Sequence, residues 1–399
     1  MSTEKKFTIM KVLESAAIGW FFATYVLFLV DKGMSLRECN VINTFFMVGL
    51  FILEAPTGYL GDRLGHRKVY LAGLIVLTGS FTWYGFGQTF WHFVSAELLG
   101  ALGRALVDEA LEAWIRNELG NSEFNRIRKQ ARKRGVYWSI GTALVGGWLG
   151  SQYSLAIPWF LTGASMGVLF IIGLFVLRNG DEKHKIEKVT LTELLGFKAI
   201  KTGFTAIRSV RELTLVSLLG LVAFATYQPI NMFWSVTFRE IGVPEKYLGS
   251  FWILIALAIA QGTGRVAHES RITRQSIART VILIGIGIGL SGTIGLVLGE
   301  IGVSPVLVVV IVLGGFLVHE FYRGSLEQEI STYQNKEGII DERYRATINS
   351  ATKSLRTVGS ALGLLLSGFA SDVLPTLALW GVSGVILIAT GIWYSRAKA

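Results

Sequence analysis

The sequence predicts an all-α integral membrane protein with twelve transmembrane helices. Hydrophobic residues make up 51% of the 399 residues, and charged residues make up only 17%. Apolar runs of about twenty residues recur along the whole chain, and each is long enough to cross a bilayer as a helix. Helices are favoured because they satisfy their own backbone hydrogen bonds inside lipid.

The twelve predicted spans follow the apolar runs and alternate in direction. With the N-terminus inside, the outer loops hold Lys32, Arg37, Arg239 and Lys246 and almost no other basic residue, whereas the inner loops hold the rest. This asymmetry predicts a multi-pass protein of the cell membrane with both termini in the cytoplasm. The spans are about 9–30, 41–61, 69–89, 91–113, 135–153, 155–177, 213–238, 246–267, 278–299, 303–325, 345–372 and 374–394.

Charge and cysteine usage exclude several other classes of protein. The net charge of +10 is explained by the inner loops and their attraction to anionic lipid, so no nucleic-acid partner is expected. Cys39 is the only cysteine, which excludes a disulfide framework and a thiolate metal cluster. The sequence has no phosphate-binding loop, no recognisable metal-ligand spacing and no nucleophile–base pair. We therefore expect neither an enzyme nor a cofactor.

Residues 58–68 read Gly-Tyr-Leu-Gly-Asp-Arg-Leu-Gly-His-Arg-Lys and join the second and third spans. Gly58 and Gly65 would let the backbone turn where a side chain would clash. Asp62 brings a carboxylate to a membrane edge, where it needs a partner. We therefore predict a short, highly structured cytoplasmic loop.

This pattern resembles the signature of the major facilitator superfamily of secondary transporters, which lies between helices 2 and 3 in that family. The resemblance implies two six-helix bundles that expose one cavity alternately to each side of the membrane. It also implies a cytoplasmic latch in the outward-open state, formed by Gly58, Asp62, Arg63, Gly65, Arg67 and Lys68. Within the superfamily, the chain resembles bacterial exporters of the drug/proton antiporter type.

A polar segment at 178–211 divides the chain into bundles at 1–177 and 212–399. It begins as a solvated linker and then becomes amphipathic, which predicts a helix lying on the inner membrane surface. The two halves also look alike, because Leu106–Glu109 and Leu317–Glu320 are similar and lie 211 residues apart. A repeat of this kind suits two bundles around a central substrate site.

The fourth span carries the densest set of charges. Arg104, Asp108 and Glu112 are spaced by four and form one stripe on a helix, with Glu109 one position round. The run Gly-Arg-Ala-Leu resembles the family's span-4 motif, whose arginine is linked to proton coupling, although Val107 and Asp108 depart from the rest of that motif. Two hypotheses stay open: a titratable cluster, with Glu109 as the proton carrier, or a structural ion pair between Arg104 and Asp108.

Two further spans offer candidates for proton coupling. His319 and Glu320 lie in the tenth span, and histidine can change charge in the physiological range. His319 could equally be a packed, hydrogen-bonded residue. Glu54 lies in a run that resembles a subset of bacterial members of the family, and it either pairs with a cation such as Arg356 or senses protons.

Spans 1, 4, 7 and 10 line the cavity in this family, and their polar and aromatic residues are the candidates for substrate contact. Pro229 should break span 7 and free backbone carbonyls. Packing or an interfacial aromatic belt is the alternative explanation for the aromatic residues. The candidates are Glu14, Trp20, Tyr25, Tyr227, Gln228, Asn231, Trp234, Tyr322 and Arg323.

These observations predict a monomeric, proton-coupled exporter of a small amphipathic compound, with membrane lipid as its surroundings. A proton-coupled importer of a polar metabolite and a non-transporting membrane receptor remain as alternatives. The sequence does not name the substrate, the direction of transport or the coupling ion, since fold resemblance cannot supply them.

Overall fold

The computed structural model describes residues 1–177, 197–265, 272–335 and 345–397. These ranges are helical and contain no strand, which confirms the predicted all-α class for the part of the chain described. In order, the α-helices are α1 (Thr3–Gly19), α2 (Tyr25–Asp31), α3 (Leu36–Leu64), α4 (His66–Gly85), α5 (Phe90–Leu119), α6 (Asn121–Gln152), α7 (Ile157–Val176), α8 (Phe197–Ser209), α9 (Arg211–Thr226), α10 (Gln228–Glu240), α11 (Leu248–Gly264), α12 (Arg274–Glu300), α13 (Pro305–Gln334), α14 (Arg345–Ala370) and α15 (Thr376–Arg396).

Seven described helical segments are long and apolar enough to cross a membrane by length and composition. Helix α5 is not among them, and charged residues lie along its length: Glu97, Arg104, Asp108 and Glu112. The full set of twelve spans, arranged as two six-helix bundles, stays a prediction. The seven segments are Leu36–Glu54, Ile157–Val176, Arg211–Glu240, Glu245–Gly264, Arg274–Glu300, Pro305–Gln334 and Thr376–Arg396.

The first predicted span, 9–30, is wrong as a single helix. Helix α1 ends at Gly19 and α2 begins at Tyr25. Between them the backbone makes two tight turns, with Phe22 N bonded to Gly19 O at 3.3 Å and Thr24 N to Phe21 O at 2.9 Å. Bonds of this i to i−3 type wind the chain more tightly than an α-helix and interrupt it.

The seventh predicted span breaks where Pro229 predicts. Helix α9 ends at Thr226, and α10 begins at Gln228 with the proline in its first turn. Proline is tolerated there because the first amides of a helix have no acceptor within it. This prediction is confirmed.

The signature segment is helical, and the predicted loop is therefore wrong. Helix α3 runs to Leu64 and α4 begins at His66, so one residue joins them. That residue, Gly65, has a φ of 90°, a conformation that glycine adopts without steric cost. The expectation that Gly58 sits at a turn is also wrong, because it lies inside α3. The basic residues at 126–134 likewise extend α6 rather than form a loop.

Residue contacts divide the chain into two compact units. The first contains Met1–Met34, Phe45–Gly196 and Glu245–Trp252, and the second contains Ser35–Thr44, Phe197–Pro244 and Ile253–Ala399. The bundle boundaries predicted from the sequence stay a prediction. The first part of the predicted linker, 178–196, lies outside the described residues, and α8 follows it.

The core of the first unit lies between α1, α4, α5, α6 and α7. Helix α4 packs against α5 and α7, while α1 packs against α6 and also touches α5. Phe7 and Met10 of α1 and Val107 and Leu111 of α5 are among its buried members. This packing brings the polar residues of α1 close to those of α5.

In the second unit, α12 packs against both α13 and α15. Glycines allow the second of these contacts: a Cβ placed at Gly384 of α15 would overlap the backbone of Gly289 and Gly285 on α12. Small residues at a helix interface let two backbones approach closely in lipid. Cys39 of α3 also lies in this unit and is fully buried.

Candidate functional site

Arg104 of α5 sits between carboxylates from two helices. Its Nη1 lies 2.7 Å from Oε1 of Glu14 on α1, and its Nη2 and Nε lie 2.7 and 2.9 Å from the two oxygens of Asp108. The second contact is bidentate, which is the strongest geometry for an arginine–carboxylate pair. Lys11 completes the group with a contact of 3.2 Å to Oε2 of Glu14. We call these four residues the Arg104 network.

The network follows from spacing and packing. Arg104 and Asp108 are four apart on α5, and Lys11 and Glu14 are three apart on α1, so each pair shares a helix face. The Arg104–Asp108 ion pair was one of the two hypotheses that the sequence left open, and the structure contains this contact. The sequence did not predict that Glu14 belongs to the same group. Two cations and two carboxylates balance, so the network carries no net charge when all four are ionised.

The other acidic candidates of α5 fare differently. Glu112 lies 3.1 Å from Nε of Arg128 on α6, and the arginine is half exposed. The side chain of Glu109 lies outside the described residues, so its role as proton carrier stays a prediction. Proton sensing by Glu54 and its pairing with Arg356 also stay predictions.

Glu97 is a candidate that the sequence analysis missed. It lies in α5 with 8% of its surface exposed, and its Oε1 accepts a hydrogen bond of 2.7 Å from the hydroxyl of Tyr25. No ion pair to Glu97 occurs among the described side chains. The available signal was a carboxylate inside the predicted span 91–113, which is costly in lipid and therefore informative.

An aromatic cluster surrounds Tyr25. Trp159 of α7 stacks between Tyr84 and Phe21, with ring centroids 3.8 and 4.4 Å away. Tyr25 lies 5.7 Å from the same indole. Trp20, in the break between α1 and α2, donates a hydrogen bond of 3.1 Å to the Ser165 hydroxyl. Both aromatic candidates from span 1, Trp20 and Tyr25, therefore make specific contacts within the first unit.

The residues of the predicted latch are placed around Gly65. The Arg63 guanidinium lies 4.6 Å from the ring centre of Tyr59, and Arg67 donates to the carbonyl of Leu174 at 3.3 Å. Lys68 is exposed. The side chain of Asp62 lies outside the described residues, so the latch itself stays a prediction.

In the second unit, His319, Glu320 and Arg323 form a chain of contacts on α13, in which His319 and Glu320 are buried and Arg323 is half-buried. Arg323 Nε donates to Oε2 of Glu320 at 3.0 Å, and His319 Nδ1 lies 3.2 Å from Oε1. The ring of Tyr227 meets the imidazole edge-to-face at 5.6 Å. Among the described residues, neither Nε2 of His319 nor the Tyr227 hydroxyl has a hydrogen-bond partner. Buried polar atoms of this kind are costly unless another molecule satisfies them.

The remaining candidates of the second unit are more dispersed. Gln228 is buried, and its side-chain amide donates to the carbonyl of Phe224 at 3.0 Å. The amide therefore already binds a backbone carbonyl beside the helix break. Trp234 is buried, and Asn231 is exposed. Tyr322 lies under the Arg265 guanidinium, 4.9 Å from it. Their contact with a substrate stays a prediction.

One more buried carboxylate escaped the sequence analysis. Glu329 of α13 accepts from the Thr280 hydroxyl of α12, with 2.9 Å to Oε2 and 3.2 Å to Oε1. This contact ties two neighbouring helices of the second unit. Its sequence signal was weak, because Glu329 lies beyond the predicted end of span 10.

Comparison with known families matches residues 8–325 to the Major Facilitator Superfamily. The chain belongs to this superfamily. Together with its long apolar helices, this membership makes it an integral membrane protein, and the family resemblance found in residues 58–68 is confirmed. The match covers the Arg104 network, Glu97 and the His319 group.

Two drug-resistance proteins are distant relatives of the chain. The quinolone resistance protein NorA of Staphylococcus aureus strain MSSA476 is 24% identical over 221 residues, which cover 52% of this chain and 53% of NorA. The chloramphenicol resistance protein CraA of Acinetobacter baumannii is 23% identical over 274 residues, covering 68% of this chain and 63% of CraA. The aligned region thus spans about half to two thirds of these relatives.

Solved structures show the same fold over the full length. The nucleoside transporter NupG has a TM-score of 0.78 at 14% identity and covers 100% of both chains. An auto-inhibited peptide transporter of the POT family has a TM-score of 0.73 at 11% identity, covering 99% of this chain and 98% of its own. At such identities the likeness establishes the fold alone.

Proposed function

We propose that this superfamily member exports small amphipathic compounds by alternating access, driven by protons that move in the opposite direction. The observation that carries the proposal is the Arg104 network. An arginine held by carboxylates from α1 and α5 can change its contacts when one carboxylate takes up a proton. Residues of this kind inside transmembrane helices are functional candidates by default.

The mechanism follows from charge balance. With all groups ionised, Arg104 holds α5 to Glu14 on α1 at 2.7 Å. A proton on Glu14 or Asp108 removes one negative charge and weakens a charge-assisted hydrogen bond. Arg104 would then shift toward the carboxylate that is still ionised, and this shift would change the contact between α1 and α5. Protonation in the region of Glu109 would act on the same contacts of α5.

The amphipathic nature of the substrate is supported by two further observations. The names of NorA and CraA connect relatives with resistance to quinolones and to chloramphenicol. In addition, the unpaired Nε2 of His319 and hydroxyl of Tyr227 lie among aromatic rings. A ligand with an aromatic body and a neutral hydrogen-bonding group would satisfy both polar atoms.

The test is proton flux through purified protein in liposomes that contain a pH-sensitive dye. We expect lipophilic drugs to evoke proton movement, and an imposed proton gradient to drive their transport against a concentration gradient. If only polar metabolites respond and move with the proton, the protein is an importer. If correctly folded protein moves neither protons nor any compound, proton-coupled export is wrong.

A further inference from the structure

Four carboxylates are buried in the described residues, and their partners differ. Glu14 and Glu320 each contact a cation, whereas Glu97 and Glu329 accept hydrogen bonds from hydroxyl groups. An ionised carboxylate without a cation is expensive in apolar surroundings, and the neutral acid is the form such surroundings tolerate. Glu97 differs from Glu329 because its partner, Tyr25, lies next to the break between α1 and α2.

Tyr25 makes that connection, because it is the first residue of α2 and follows directly on the break at Trp20–Thr24. Its hydroxyl donates to Glu97, and its ring packs in the aromatic cluster. A hydrogen bond to an ionised carboxylate is about twice as strong as one to a neutral group. Loss of the charge on Glu97 would therefore loosen the link between α5 and the start of α2.

Glu97 is also placed to communicate with the Arg104 network. Residues seven apart on an α-helix lie on the same face, about 10 Å apart along the axis. Glu97 thus stands two turns before Arg104, on the side of α5 that the predicted topology places nearer the outside.

The other titratable groups around Glu97 are few. From neighbouring helices they are Tyr25 on α2 and Tyr84 on α4, which also interacts with the carboxylate. On α5 itself, His92 is half-buried and contacts the carbonyl of Trp83, while Arg104 is held by its own partners. A metal cation would need several oxygen ligands, whereas aromatic rings dominate here, so a proton is the ligand that fits.

We propose that Glu97 is a further site that binds and releases the coupling proton, in addition to the carboxylates of the Arg104 network, and that Tyr25 passes this change to the break between α1 and α2. The proton adds to a carboxyl oxygen of Glu97 from the outer side, and no other bond is made or broken. When it leaves toward the inner side, the carboxylate regains its stronger bond to Tyr25. This assignment rests on the proposed proton-coupled function for its role in transport, but not for the binding of the proton itself.

The first arm of the test measures the proton directly. We expect infrared difference spectra of the full chain in membranes, recorded between pH 5 and 9, to contain a carboxylic-acid carbonyl band that Glu97→Gln removes. Tyr25→Phe should shift this band, and Glu329→Gln, a matched buried control in the second unit, should leave it unchanged. A spectrum unaffected by both Glu97→Gln and Tyr25→Phe overturns the assignment, even if one variant folds poorly.

The second arm measures transport. Glu97→Gln should lower proton-driven export at least tenfold while retaining substrate exchange at equal concentrations, which needs no net proton movement. Normal proton-driven export by Glu97→Gln, or a band that responds to sodium instead of pH, contradicts the proposal. If the wild-type protein moves no protons with any compound, the proposed function fails, whereas the infrared arm still decides whether Glu97 binds a proton.

Discussion

At the scale of single residues, Arg104 depends on its planar geometry as much as on its charge. Its guanidinium bonds both oxygens of Asp108 and one of Glu14. A lysine ammonium is a point charge and cannot reproduce that fork.

We therefore expect Arg104→Lys to fold but to lose at least tenfold in proton-driven transport, measured in liposomes. The free energy of unfolding, measured by thermal unfolding, should fall by about 1–3 kcal/mol, which is the usual cost of leaving a buried polar group unpaired. Arg126→Lys is the matched control, because Arg126 pairs with Glu123 on an exposed surface where ion pairs contribute little. Unchanged transport by Arg104→Lys would mean that the network is only structural.

Sequence reasoning identified some of these residues and missed others for physical reasons. The pair of Arg104 and Asp108 follows from spacing on one helix, so it was predictable. The approach of Glu14 depends on how α1 packs beside α5, which no periodicity in either segment reports. Glu97 lies among apolar and aromatic residues, and its partner Tyr25 is far away in the sequence. Its charge was therefore the only signal in the sequence.

At the scale of helices, the junction between α3 and α4 depends on one backbone conformation. Gly65 alone separates the two helices, with a φ of 90°. Any residue with a Cβ is strained in this region.

Gly65→Ala should therefore lower the free energy of unfolding by about 1–2 kcal/mol, measured by thermal or denaturant unfolding in detergent. Gly79→Ala in α4 is the control, since Gly79 is helical and a Cβ there meets nothing within 4 Å. It should be neutral or stabilising by up to about 1 kcal/mol. Equal effects of the two substitutions would show that the backbone at Gly65 is not strained by alanine.

The contact between α12 and α15 makes a second prediction at this scale. Gly384→Leu should force the helices apart, because its Cβ would overlap Gly289. We expect a strong loss of folded protein in fluorescence-detected size-exclusion chromatography. Gly299→Leu, where a Cβ meets nothing within 4 Å, should retain its folded peak; a normal peak for Gly384→Leu would contradict the close packing.

Helix breaks differ in how visible they are in the sequence. Pro229 predicts the break at Tyr227, because proline lacks an amide proton. The break at Trp20–Thr24 has no proline, and its residues are as apolar as any helix in lipid. An apolar run therefore predicts that a segment spans the membrane, but not that one uninterrupted helix does so.

At the scale of the whole molecule, the chain belongs to the Major Facilitator Superfamily, and transport is the function proposed for it. The predicted cytoplasmic latch belongs to this scale, because it is expected to hold the protein in its outward-open state. Asp62 is predicted to supply the carboxylate of the latch, and a substitution that removes its charge while keeping its shape tests this prediction.

We expect Asp62→Asn to lower transport severalfold and to shift the protein toward inward access, measured by labelling of single cysteines introduced on each side. Lys5→Gln, a conservative change of an exposed residue at the N-terminus, is the control and should leave both unchanged. Normal transport with unchanged access in Asp62→Asn would show that the latch does not depend on this carboxylate.

Such labelling is practical because of Cys39. It is the only cysteine in the chain, and it is fully buried in α3. Thiol reagents that stay in water will react with an introduced surface cysteine and leave the native one untouched. Spin labels or fluorophores can therefore be attached in pairs to the otherwise natural sequence, and distance changes during turnover can be recorded without first removing a native thiol.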